Sequence, residues 1–179
     1  MPNAIASLRD AHRAVSDLLD ALSADALGWR PEPDLWSATD VLEHLIRTER
    51  GMLFSMKRQV EAGENRRDLG APSPEAFAQL RAFLLTDRKT RVPEGAAQYV
   101  APKGDTPYAD LRAEWDALPE TWAQALAAIP DGLAEAGLVP HPRAGALTGQ
   151  DAALFAADHA THHLHQLRRL REHPELPTA

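Results

Sequence analysis

The stretch 150 QDAALFAADHATHHLHQLRRL 170 constrains this chain most, because histidines and a glutamine recur among aliphatic residues at helical spacing. At about 100° of rotation per residue, His159 and His163 lie about 40° apart and one turn along the same helix face. Ala152, Phe155, Ala156, Gln166 and Leu170 share that face, so the pair looks toward the core rather than into water. Buried imidazoles need partners. An i, i+4 histidine pair on one face can present two nitrogens to one divalent metal, and a third ligand is then to be sought on another helix. The alternative is a satisfied pair in the core or near the helix C-terminus. His162 and His165 rotate about 60° and 120° away from His159. His165 therefore reads as solvent-facing, and His162 as at most a flank of the site.

Composition sets the bounds. The 179 residues fit one domain, taken as 1–179, with 44% hydrophobic and 25% charged side chains, ordinary for a globular protein. No run approaches the ~18 apolar residues of a membrane span, and the N-terminus lacks the basic start and apolar block of a signal peptide. A cytoplasmic protein without membrane contact is expected. There are no cysteines, so a metal must be held by His, carboxylate or water. With 19 basic against 26 acidic side chains the net charge is −7, which argues against nucleic-acid binding. The basic cluster Arg168, Arg169 and Arg171 suits the end of the last helix, where cations complement the dipole.

Along the chain, Ile5, Leu8, Ala11, Val15, Leu18, Leu19 and Leu22 mark an amphipathic helix over 4–22. His12 beside that stripe reads as a surface or boundary residue. Pro31 and Pro33 suggest an extended connection. Ser37 with Asp40 resembles a capping box that opens a second helix running to about residue 61. His44 lies on its inward stripe between Val41, Leu45 and Thr48, and is the natural third ligand, although a lone inward histidine is more often a satisfied core residue. After a polar loop, Ser73 and Pro74 predict a helix to about residue 90, packed through Phe77, Leu80 and Leu84. Residues 92–107 are rich in Pro and Gly and read as irregular, a crossover or a wall over a pocket. A helix follows from near Pro107 to about Ile129, with a kink or break expected at Leu118 because of Pro119. Residues 130–147 read as irregular, with a short hairpin around 138–147 left open, and Thr148 is a plausible cap for the final helix. The expected architecture is all-α, a four-helix bundle with long crossover connections and an extra short helix.

The order of 36 WSATDVLEHL 45, a long interrupted middle, and 139 VPHPRAGALTGQDAALFAADHATHHLHQL 167 resembles the DinB/YfiT family of four-helix metalloproteins over nearly the whole chain. In that family one His on the second helix and two His four apart on the last bind a divalent cation. The matching positions are His44, His159 and His163. Three neutral imidazoles leave coordination positions open for water or substrate, and zinc and nickel both suit such a site. Gln166 is on the His159 face and would bond either a bound ligand or the backbone. Trp36 packs at the helix entrance or lines the pocket mouth. Asp40 either caps its helix, the favoured reading, or orients His44.

The resemblance implies a metal-dependent enzyme that activates a water or a low-molecular-weight thiol for a small-molecule substrate, as in S-transferases and isomerases. A metal-dependent hydrolase and a non-catalytic metal-stabilised stress-response or interaction module are the alternatives. A homodimer is also implied by the resemblance. A third possibility is a metal-free polar core network. No general base accompanies the motif, because Glu43 and Glu49 lie about 100° and 140° off the His44 face.

Overall fold

The computed structural model describes residues 3–88 and 94–178. Four long helices form the body: α1 (Ala4–Asp20), α3 (Ala38–Ala62), α6 (Tyr108–Ala127) and α7 (Gly149–Arg171). Helix α1 packs on α7, α7 on α3, α3 on α6 and α6 on α1, a ring with α1 and α3 at opposite corners. Three shorter helices sit between them: α2 (Ala24–Gly28), α4 (Pro74–Leu84) and α5 (Glu94–Val100). Strands β1 (Val139–His141) and β2 (Gly145–Leu147) form one antiparallel hairpin, with His141 opposite Gly145. Gly145, at a φ of 72°, opens β2 directly after the three-residue turn, in the left-handed conformation that glycine favours.

Local chemistry explains where the long helices start. The Ser37 hydroxyl accepts the Asp40 N–H, and the Asp40 carboxylate accepts the Ser37 N–H at 2.8 Å, the reciprocal capping box expected from sequence. Arg30 adds an ion pair to Asp40 at 2.9 Å. Thr148 caps α7 through the Asp151 N–H. Helix α4 starts at Ser73 and Pro74 as expected and docks on α7 through Arg81, whose guanidinium donates to both oxygens of Asp158.

Several expectations are corrected. The connection after α1 contains α2, which Ser23 caps by accepting the Ala26 N–H, and Pro31 and Pro33 lie in bends and turns rather than in an extended connection. Helix α4 stops at Leu84 instead of about residue 90, and Leu85 is 51% exposed. Residues 89–90 of that expected helix lie outside the described residues. The span 92–107, expected to be irregular, holds α5, although residues 92–93 also lie outside the described residues. Helix α6 has no break at Leu118 and continues through Pro119.

The buried apolar residues form two clusters. One gathers Leu8, Met52, Met56, Phe77, Trp122 and Ala152–Ala157; the other gathers Val15, Leu19, Val41–Leu42, Leu45–Ile46, Trp115, Leu164 and Leu167. On α1, α3 and α7 a polar residue falls between the two sets: His12 on α1, Glu49 on α3 and His159 on α7. The bundle is therefore sectioned by a polar layer at mid-height. His159 of the histidine pair lies in this layer.

Candidate metal centre

Helix α3 delivers His44 and α7 delivers His159 and His163 to one point. His44 Nε2 lies 3.3 Å from His159 Nε2, and His163 Nε2 lies 3.1 Å from the same atom. One ligand nitrogen from each of the three falls within 4.8 Å of the others. A tetrahedral zinc with nitrogen bonds of about 2.05 Å places its ligand nitrogens about 3.3 Å apart. The observed spacing suits such an ion.

Hydrogen bonding at the far side of each ring decides which nitrogen faces the centre. His44 Nδ1–H donates to the Val100 carbonyl of α5 at 2.9 Å, and His163 Nδ1–H donates to Gln166 Oε1 at 3.0 Å. Both rings then turn an unprotonated Nε2 inward. His159 Nε2 can carry at most one proton and so can donate to only one of the two unprotonated nitrogens that face it, which leaves at least one N···N contact without a hydrogen bond in the absence of a cation. His159 Nδ1 is buried without a partner among the described residues. A cation accepted by all three Nε2 atoms removes the conflict, so the donor set fits a metal rather than a self-sufficient polar core.

The surroundings keep these rings neutral. Burial pushes His44 down to about 4 and His163 down to about 3, against about 6.5 for a free imidazole. His159 is lowered well below the ordinary value by burial and by the neighbouring imidazoles. Phe155 stacks on His159 with centroids 5.3 Å apart and planes 14° apart, and Trp36 lies tilted on His44 at 4.8 Å. All three imidazoles open onto a chamber of about 680 Å³, whose other walls include Met52, Leu80, Val139 and the α5 residues Ala96, Ala97 and Val100. Residues from 92–107 thus do wall a pocket, as a helix.

The remaining candidates divide. Trp36 lines the chamber as well as packing on the rings. Gln166 lines the chamber, and its Oε1 holds the His163 ring. Asp40 does not orient His44, because its carboxylate is engaged by Ser37 and Arg30. His162 is buried, lines the chamber, and donates Nδ1–H to the Leu84 and Thr86 carbonyls. His165 is half-buried rather than fully in solvent.

His12 is not a surface residue. It is buried, its Nε2 lies 3.0 Å from Glu49 Oε1, and its ring lies flat on Trp115 at 3.5 Å. Glu43 and Glu49 stay off the His44 face, as the helical arithmetic has it, but both are buried and occupied. Glu43 accepts the backbone N–H groups of Lys103 and Gly104 at 2.9 Å each, and Glu49 accepts Trp122 Nε1–H at 2.8 Å. The contribution of the Val100 carbonyl left no mark in the sequence, because any residue type supplies a carbonyl. His141, with its pKa lowered to about 4 by burial and by Arg143, also lines the chamber. Its Pro-flanked position in a suspected hairpin was the one available signal.

Fold and centre together define a class: a bundle of helices carrying three converging imidazoles in the wall of an apolar chamber. The chain belongs to the DinB superfamily, whose family model matches residues 7–167. No curated protein and no solved structure matches the chain.

Proposed function

We propose that His44, His159 and His163 hold one divalent cation, zinc or nickel, and that the chamber beside them takes a small-molecule substrate for metal-dependent chemistry of the S-transferase type. The observation that carries this reading is the convergence of three Nε2 atoms, two of them with the outer nitrogen committed to an acceptor, on the wall of a 680 Å³ chamber. A cation there acts as a Lewis acid that stabilises a bound water or low-molecular-weight thiol as its anion. The protein's own part is positional. Val100 O and Gln166 Oε1 fix the orientation of two rings, and Trp36 and Phe155 shield them from bulk water. With Glu43 and Glu49 committed elsewhere, neither is available to move a proton in the chamber. A thiol suits this arrangement because it ionises more readily than water and so asks less of a base.

The test is elemental analysis of untagged protein purified without chelators, alongside His44→Ala, His159→Ala and His163→Ala. About one zinc or nickel per chain, lost in each variant while helical circular dichroism is kept, is the expected result; full stoichiometry in any variant removes that residue from the ligand set. Perturbation of the d–d spectrum of nickel- or cobalt-loaded protein by a small thiol then supports the transferase reading. A spectrum indifferent to thiols counts against it.

A further inference from the structure

The hairpin turn adds His141 and Arg143 to the chamber wall. His141 Nδ1 accepts the backbone N–H groups of Arg143 and Ala144, at 3.2 Å each. An accepting imidazole nitrogen carries no proton, so the ring hydrogen of neutral His141 is on Nε2. The turn thereby fixes His141 as a donor, and no described residue takes that donor. Arg143 is in the same state. Its guanidinium lies 4.9 Å over the Phe83 ring, another chamber residue, and has no carboxylate partner among the described residues. The ring contact holds the arginine fork at the wall while leaving its N–H edges uncommitted.

The distance to the metal centre is short. The His141 ring is 4.7 Å from the Phe155 ring, which in turn is 5.3 Å from the ring of His159. One aromatic ring thus separates His141 from His159, a span that a small organic molecule covers. Asp34, two positions before Trp36, is the acid among the described lining residues and is itself exposed.

We propose that His141 and Arg143 form an anion-anchoring subsite, which binds the carboxylate or phosphate head of a small substrate whose apolar body fills the chamber. This deepens the metal-dependent reading and rests on it only for what happens at the substrate's other end. Arg143 is exposed and His141 half-buried, so the pair stands where the chamber meets solvent, and a guanidinium and a neutral N–H that meet an oxyanion there make charge-assisted hydrogen bonds. Specificity then lies in the hairpin, and reactivity in the helices.

Calorimetric titration with 3-phenylpropionate, phenyl phosphate and neutral 3-phenylpropanamide tests the subsite in the wild-type protein, Arg143→Gln, His141→Asn and His163→Ala. Asparagine keeps an acceptor for the turn amides while removing the ring donor. One of the two anions should bind about tenfold or more tightly than the amide, the size expected of charged hydrogen bonds. Which anion it is identifies the head group. Arg143→Gln and His141→Asn should each erase most of that preference without changing amide binding, and His163→Ala should keep it. Equal affinity for anions and amide, or no measurable binding of either anion, overturns the proposal. Anion binding that is lost in His163→Ala yet indifferent to Arg143→Gln means that the anion seeks the cation, which refutes the subsite and leaves the metal reading intact. Arg143-dependent anion binding by a protein that takes up no metal does the reverse.

Discussion

Glu49 has no exposed surface and receives donors from two other helices, Trp122 Nε1–H from α6 and His12 Nε2–H from α1. A buried carboxylate persists only where its oxygens are paired, and here each oxygen has a partner. Truncation strands His12 and Trp122 as unpaired donors. Glu49→Ala is expected to lower stability by about 3–5 kcal/mol in urea denaturation, with metal content unchanged because none of the three centre histidines touches it. A loss under about 1 kcal/mol would mean that the network contributes no more than a surface pair. Helical spacing places His12 at the edge of an apolar stripe, and that is as far as local arithmetic reaches. Its burial depends on a carboxylate 37 positions away and on Trp115 stacked against its ring.

Among the elements, α6 shows how packing overrides a local preference. Pro119 has no N–H, so the Trp115 carbonyl loses its helical donor, and an interior proline costs a helix roughly 3 kcal/mol. The helix nonetheless continues, because Trp115, Leu118 and Trp122 around the proline are all buried in the bundle. Pro119→Ala is expected to raise stability by roughly 1–3 kcal/mol, read as a higher thermal midpoint with unchanged metal content. An unchanged or lower midpoint would show that the ring itself packs where Ala leaves a gap. The same competition explains the two short helices absent from the sequence reading. Isolated segments of five and seven residues are too short to be helical in water. Helix α2 gains its Ser23 cap and contacts with α3, and α5 rests on α3 and is tied there by the His44–Val100 hydrogen bond. Two residue pairs along, Glu43 holds the backbone at Lys103 and Gly104, the latter at a φ of 71°. Helix α3 thus holds the C-terminal end of α5 and the loop that follows it.

For the molecule as a whole, the buried imidazoles around the chamber make stability pH-dependent. His44, His163 and His141 have folded pKa values near 4, 3 and 4, below the unfolded value of about 6.5, and His159 is lowered as well. Between those limits the unfolded chain binds more protons than the folded one, so stability rises with pH across the window. The stabilisation is fully present above about pH 6.5 and is lost as pH falls toward 4. Metal-free protein should therefore show a falling urea midpoint from pH 7 to pH 5, before the carboxylates titrate. A flat profile there would mean that the imidazoles are not held neutral by burial.

The helical stripes, the Ser37 and Thr148 caps and the one-turn spacing of His159 and His163 follow from residue order alone, because they involve neighbours within about four positions on one helix. That sufficed for the all-α bundle and for nominating His44. The tertiary structure decided which nitrogen of each ring faces inward, since Val100 and Gln166 set that by accepting the other proton. It also decided that His12 is buried, that α5 is a wall, and that His141 and Arg143 share the chamber with the three imidazoles. Those outcomes rest on contacts between segments far apart in the chain or on backbone carbonyls. Neither leaves a periodic trace in the order of side chains.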